Sequence, residues 1–199
     1  MTEIIDYTTL YAEKVVNGEI IASDKNIKSC QRHLDNLEAG VDGYEWRPDL
    51  ANRVTKYIGT LPDIKTGTPL PMLLFQHFIY GSLYGWVHEG TEIRRFTKAY
   101  ISTGRKQSKS MTTAGIAQYE MLFGKSPLRQ REVYISSNAY KQSRIIFEMA
   151  TSQINLLKKK SRYLNNNVKT LDKKIEYLKD ESIISPLSNS PDSADGTNP

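Results

Sequence analysis

Residues 104–110, Gly-Arg-Lys-Gln-Ser-Lys-Ser, constrain this chain more than any other stretch. They follow the run Arg95 to Ser102, whose Phe96, Ala99, Tyr100 and Ile101 read as a strand. They precede Met111 to Phe123, where Ala114, Ala117 and Met121 recur at helical spacing. A strand running through a short polar loop into a helix start is the layout of a phosphate-binding loop. Such a loop needs backbone N–H groups turned inward and a helix N-terminus behind them. It also needs a Lys that reaches the β- and γ-phosphates and a neighbouring Ser or Thr hydroxyl for Mg²⁺. Lys109-Ser110 supply the last two. The standard spacing, G-x-x-x-x-G-K-S/T, puts glycines at 103 and 108. Thr103 and Ser108 stand there instead, and Gly104 is one residue late. On spacing alone, an ordinary helix start opening with a Lys-Ser pair stays open beside the nucleotide reading.

The rest of the chain supplies a setting for that loop. Residues 6–18 carry Tyr7, Leu10, Tyr11 and Val15 at helical spacing, and Asn17-Gly18 ends the pattern. Ser23-Asp24 can cap a second helix with Ile27, Cys30, Leu34 and Leu37 on one face. A third helix is expected from Pro48 to Ile58. The stretch 60–71 holds Pro62, Gly67, Pro69 and Pro71 and reads as a loop. Residues 72–86 read as a largely buried helix, with a turn at Glu89-Gly90 after it. Beyond the loop helix, Val133-Tyr-Ile-Ser is a short apolar strand. Residues 138–157 form a helix with Ile146, Met149, Gln153 and Leu157 along one face. Strand, loop, helix, strand, helix is the order of a parallel α/β sheet. The fold class is therefore α/β: a helical N-terminal part (1–90), a core with the loop at its centre (91–157), and a third segment (158–199).

That third segment shifts in composition. Residues 158–179 contain eight Lys/Arg and two Asp/Glu. Residues 180–199 contain four Asp/Glu and no Lys/Arg. A solvated basic helix followed by an irregular tail is one reading. A basic face against DNA is the other. The net charge of +5 is compatible with both.

Other classes are disfavoured. No apolar run approaches the roughly 18–20 residues a membrane span needs, so no membrane is expected as a partner. Met1-Thr-Glu-Ile-Ile-Asp lacks the basic and apolar regions of a secretory signal. Cys30 is the only cysteine, which excludes an internal disulfide and points to the cytoplasm. It sits on an apolar helix face and reads as inert core. His33, His77 and His88 have no partners at metal-ligand spacing.

Several stretches together resemble the large subunit of tailed-phage terminase, the motor that packages viral DNA. They are Cys30-Gln-Arg-His-Leu-Asp-Asn-Leu, Leu74-Phe-Gln-His-Phe, Leu83-Tyr-Gly-Trp, and Arg94-Arg-Phe-Thr-Lys-Ala-Tyr leading into Gly104-Arg-Lys-Gln-Ser-Lys-Ser. Val133-Tyr-Ile-Ser, Gln142 and the final Ser193-Ala-Asp-Gly-Thr-Asn-Pro continue the series in family order. The family loop reads Arg-Lys-x-Gly-Lys-Ser/Thr, so Ser108 is the one departure inside it.

The resemblance implies roles. Gly104, Lys106, Gln107, Ser108, Lys109 and Ser110 would hold the nucleotide, with Ser110 also on Mg²⁺. Arg105 matches the loop arginine that senses or stabilises the γ-phosphate, a role that fits charge stabilisation in phosphoryl transfer. Gln76 matches a glutamine that reads adenine; a hydrogen-bonded polar residue on a buried helix is the equal alternative. Trp86, Tyr84 and Phe78 read as core rather than as base-stacking groups. Arg32 and His33 match a family motif without an evident chemical role, and a helix-surface contact is the default for them.

Cofactors implied are ATP and Mg²⁺. Implied partners are double-stranded viral DNA, a portal protein, a small terminase subunit and further copies in a ring, in the cytoplasm of a bacterial host. In the family, the Walker B acidic pair follows the Asp-Gly-x-Asn-Pro segment in which this chain ends. The expectation is a truncated or split product that binds ATP weakly and turns it over poorly alone. A non-catalytic basic interaction module is the alternative. A helicase fragment fits the Gln76 and Arg105 spacing less well.

Overall fold

A computed structural model describes residues 5–69 and 71–187. Ser193–Pro199, quoted above for its resemblance, lies outside the described residues. The chain divides into two compact units, one of residues 1–59 and 71–102, the other of residues 60–70 and 103–199.

The first unit is helical. Helix α1 (Tyr7–Val16) starts at Asp6, whose Oδ1 accepts from the N–H groups of Thr8 at 3.1 Å and Thr9 at 3.0 Å. Its Tyr11, Ala12 and Val15 are buried at helical spacing. They form a core with Cys30 of α2 (Asp24–Ala39) and Phe78 of α4 (Leu74–Gly85). Helix α3 (Pro48–Thr60) buries Leu50, Ala51, Val54 and Ile58. Two glycines of α4 are required by close approach. A Cβ on Gly81 would lie 1.9 Å from Thr8 Oγ1, and one on Gly85 would lie 2.5 Å from the Trp46 ring. Phe78, Tyr84 and Trp86 are all buried.

Two features of this unit depart from expectation. A two-stranded ribbon pairs β1 (Tyr44–Trp46) antiparallel with β2 (Trp86–His88), placing Trp46 opposite Trp86. His33 is not a helix-surface contact but is buried at 4 % exposure. Its Nδ1 accepts from Trp86 Nε1–H at 3.1 Å, and its Nε2 lies 3.0 Å from Thr9 Oγ1. That hydroxyl is 2.6 Å from Asp6 Oδ2, which also accepts from Trp46 Nε1–H at 2.7 Å. Burial pulls the imidazole pKa down from 6.5 to about 4, against a smaller upward pull from Asp6.

The strand expected over Arg95–Ser102 is not formed. Among the described residues the pairing stops at its start, with an isolated bridge between Val87 and the preceding Arg94 and a bond from Arg95 N–H to Trp86 O at 2.9 Å. Tyr100 is 94 % exposed and Ile101 is exposed. The apolar residues have no neighbouring strand to pair with, and alternation alone does not hold an extended segment.

The second unit is α/β. Helix α5 (Lys109–Phe123) leads through β3 (Glu132–Ile135) to α6 (Tyr140–Lys160), as expected. The short helix α7 (Arg162–Asn167) follows, then β4 (Val168–Thr170), β5 (Ile175–Tyr177) and β6 (Ser182–Pro186). The strand order is β3-β6-β5-β4. β3 and β6 are parallel, whereas β5 runs antiparallel to both β6 and β4. The sheet is thus mixed, with a parallel pair at its α/β heart.

Over residues 158–187 the reading as a solvated basic helix and irregular tail is corrected to a short helix, a hairpin and a returning strand; residues 188–199 lie outside the described residues. Val168, Ile175, Tyr177 and Ile184 point inward at a strand's period of two, among lysines that disguise the pattern. They pack with Ala114, Ala117, Met121, Phe147, Ala150 and Ile154 of α5 and α6. Each large apolar side chain here contributes roughly 1.5–3 kcal/mol by leaving water.

Two polar devices lock this core. Gln118 Nε2–H donates to Gln153 Oε1 at 2.7 Å, both fully buried. The buried Arg131 guanidinium donates to the carbonyls of Glu120 and Met121 at the end of α5, and to the Asp180 carboxylate. It thereby donates to the Met121 carbonyl near the helix end and adds a second bond to Glu120 O, which also accepts from Gly124 N–H at 3.0 Å. No helix among the described residues is long and apolar enough to cross a membrane.

Candidate nucleotide-binding loop

The loop is anchored from below. Met111 and Ala114, in the first turns of α5, are buried, so the start of that helix is fixed by packing. Thr112 strengthens the start: its N–H donates to Ser108 O at 3.0 Å and its hydroxyl to Lys109 O at 3.0 Å. Residues 104–107 are exposed above this anchor.

The backbone of the loop curls. Lys106 takes φ 64° and Ser108 φ 57°, while Gln107 between them stays out of the positive-φ region. A left-handed residue on either side of Gln107 is the kind of backbone that can turn successive N–H groups to one side, as in an anion-binding nest. Ser108 precedes α5 in the left-handed conformation, with ψ 21°, and its side chain makes no capping bond. A glycine preference at this position has a direct cause, because L-residues reach that conformation at a cost of roughly 1–2 kcal/mol. Gly104 carries no such demand. Its φ is not positive, and a Cβ added there would meet nothing within 4 Å.

Lys109 closes the loop. Its ammonium donates to the carbonyl of Thr103 at 2.5 Å, spanning the mouth from the first helical residue back to the loop's start. Thr103 Oγ1 is buried and has no hydrogen-bond partner among the described residues. Arg105, Lys106 and Lys109 have no ion pair among the described residues. Three uncompensated cations beside a helix N-terminus make the loop strongly electropositive. The donor set suits a polyphosphate, and the Ser110 hydroxyl at the same helix start is a hard oxygen donor suited to Mg²⁺. Outside this loop, no group of three His, Cys, Asp or Glu side chains among the described residues could hold a metal ion.

The structure thus brings Gly104, Arg105, Lys106, Gln107, Ser108, Lys109 and Ser110 into one feature. Gln76 lies in the other unit, on the first turn of α4, where it is buried at 6 % exposure. Its Oε1 accepts from Leu73 N–H at 2.9 Å, so the side chain caps its own helix. Sequence reasoning missed Thr103 as the partner of Lys109. Its position at the first glycine of the standard spacing was the available signal.

The family model for the terminase large subunit, ATPase domain, matches residues 74–199. The crystal structure of the HK97 bacteriophage large terminase superposes with a TM-score of 0.55 at 20 % identity. That match covers 75 % of this chain and 28 % of the HK97 chain, so this chain spans well under half of that protein. Agreement at this identity is agreement of fold. No curated protein matches the chain in sequence. The family match spans more than half of the chain and contains the whole loop, so the chain belongs to the terminase large-subunit ATPase-domain family.

Proposed function

We propose that this chain is the nucleotide-binding part of an ATP-driven DNA-packaging motor and that residues 104–110 are its phosphate loop. The observation that carries this reading is the left-handed backbone at Lys106 and Ser108 with Lys109 bonded back to Thr103, inside the stretch matched by the terminase ATPase family. The inward N–H groups and the start of α5 receive the β-phosphate. Lys109 exchanges the Thr103 carbonyl for the β- and γ-phosphate oxygens. Ser110 holds Mg²⁺, which supplies neutralisation of the phosphate charge when bound. Arg105 and Lys106 lie at the exposed rim, and Arg105 stabilises the γ-phosphate. Double-stranded viral DNA, a portal protein, a small terminase subunit and further copies of the chain are the partners this reading carries.

Gln76 we assign to helix capping rather than to adenine. Its amide oxygen accepts from Leu73 N–H, which holds the buried side chain against the start of its own helix.

Isothermal titration of the chain with Mg·ATP, beside Lys109→Ala, tests the reading. Binding that weakens by at least about tenfold in the variant is expected, since a charge-assisted phosphate contact exceeds about 1.4 kcal/mol. Equal affinity of the two proteins would refute it.

A further inference from the structure

The flank beyond α6 carries an unusual surplus of charge. Of the eight cations and two carboxylates in residues 158–179, both carboxylates are already engaged. Asp172 Oδ1 accepts from Arg144 at 2.6 Å, and Glu176 from Lys174 at 2.5 Å. Lys158, Lys159, Lys160, Arg162, Lys169, Lys173 and Lys179 are left without an ion pair among the described residues. Six of these seven are exposed, and Lys158 is half-buried.

The fold fastens together the elements that carry these cations. Thr170 Oγ1–H donates to Asn155 Oδ1 at 2.9 Å, fastening β4 to the end of α6. The hydroxyls of Tyr163 and Tyr177 meet at 2.5 Å, fastening α7 to β5, and Lys179 stacks over Tyr163 at 4.7 Å. The α6 macrodipole accounts for Lys158, Lys159 and Lys160 in its last turn. It does not account for Arg162, which opens α7 at the wrong end for a cation, or for the hairpin lysines. Exposed apolar residues nearby do not form the centre of a protein interface. Leu171 and Leu178 lie at opposite ends of the β4–β5 ladder. Asn165 and Asn166, exposed on α7, add neutral donors.

We propose that the end of α6, α7 and the β4–β5 hairpin form a binding surface for the phosphate backbone of duplex DNA. This deepens the motor reading, because it names the face that meets the DNA, but its test requires no nucleotide. The whole chain is titrated, free of nucleotide, into a labelled short duplex at salt from about 50 to about 200 mM, followed by fluorescence anisotropy. Replacing Lys159, Lys160, Arg162 and Lys173 together by Ala is expected to weaken binding at least about tenfold and to flatten the log–log salt slope by about three to four. Replacing four exposed lysines elsewhere, Lys25, Lys28, Lys65 and Lys98, by Ala leaves the slope nearly unchanged. A charge-keeping set, Lys159→Arg, Lys160→Arg, Arg162→Lys and Lys173→Arg, retains binding. Equal losses in the two alanine sets, no binding by the parent chain, or equal competition by polyglutamate at matched charge would each overturn the proposal. Intact DNA binding beside absent ATP binding would refute the nucleotide reading alone.

Discussion

The Lys109 ammonium donates to the Thr103 carbonyl at 2.5 Å, so the loop is closed by its own lysine. The contact ties the charge to the loop's start, across the left-handed residues Lys106 and Ser108. The proposed phosphate loop has neither glycine of the standard spacing, with Thr103 and Ser108 in their places. Its backbone cost is shared by Lys106 and Ser108, the two left-handed residues, and Ser108 is the one at a position where the standard spacing has glycine.

Ser108→Gly should stabilise the chain by about 1 kcal/mol, because glycine reaches the left-handed conformation without strain. Ser108→Ala should bring no such gain. Urea midpoints of the three proteins check this. A loss of stability in the glycine variant would mean that the Ser108 conformation is not strained.

His33 should make stability depend on pH. Its folded-state pKa lies near 4 and its unfolded value near 6.5. Between these the unfolded chain binds a proton that the folded chain does not. The stabilisation is therefore complete above about pH 6.5 and is lost as pH falls toward about 4. The full loss amounts to about 3 kcal/mol. Urea unfolding across this window should show a steeper pH dependence for the parent than for His33→Gln, and identical slopes would contradict the assignment.

The helices were legible in the sequence; most of the sheet was not. α1, α3 and α5 follow apolar residues at helical spacing, a signal that survives interruption by single polar residues. β1, β2, β4 and β5 are three residues each, too short for a period of two to stand out. Lysines and acids between Val168 and Ile184 made that region look like solvent-facing helix and tail. In the loop, the helix start at Lys109-Ser110 was legible from residue type and position. The curl at Lys106 and Ser108 was not, because neither residue type favours positive φ. His33 looked like surface because its helix is mostly polar. Its burial comes from Trp46, Trp86 and Phe78, which reach it from other elements.

Arg131 should be among the costliest side chains to lose. Arg131→Met strips the Asp180 carboxylate of its buried cation, leaving it the Ser182 N–H, and removes the guanidinium bonds to the carbonyls of Glu120 and Met121. A loss of about 3–5 kcal/mol is expected, as for breaking a buried ion pair from one side. Asp180→Asn, which keeps a hydrogen-bond acceptor, should cost less. Denaturant unfolding distinguishes the two.

Gln76→Ala should lower stability by about 1 kcal/mol through the lost cap at α4, and leave the preference for ATP over GTP within about twofold. Thermal unfolding and paired nucleotide titrations measure the two effects separately. A change in preference of about tenfold would return Gln76 to adenine recognition.

The most direct test of the central claim is a map of backbone amides by heteronuclear NMR during titration with Mg·ADP. The largest shifts are expected at the N–H groups of Gly104 through Met111, with Lys109→Ala abolishing them. Shifts centred elsewhere, or none under saturating nucleotide, would contradict the assignment of this loop to phosphate.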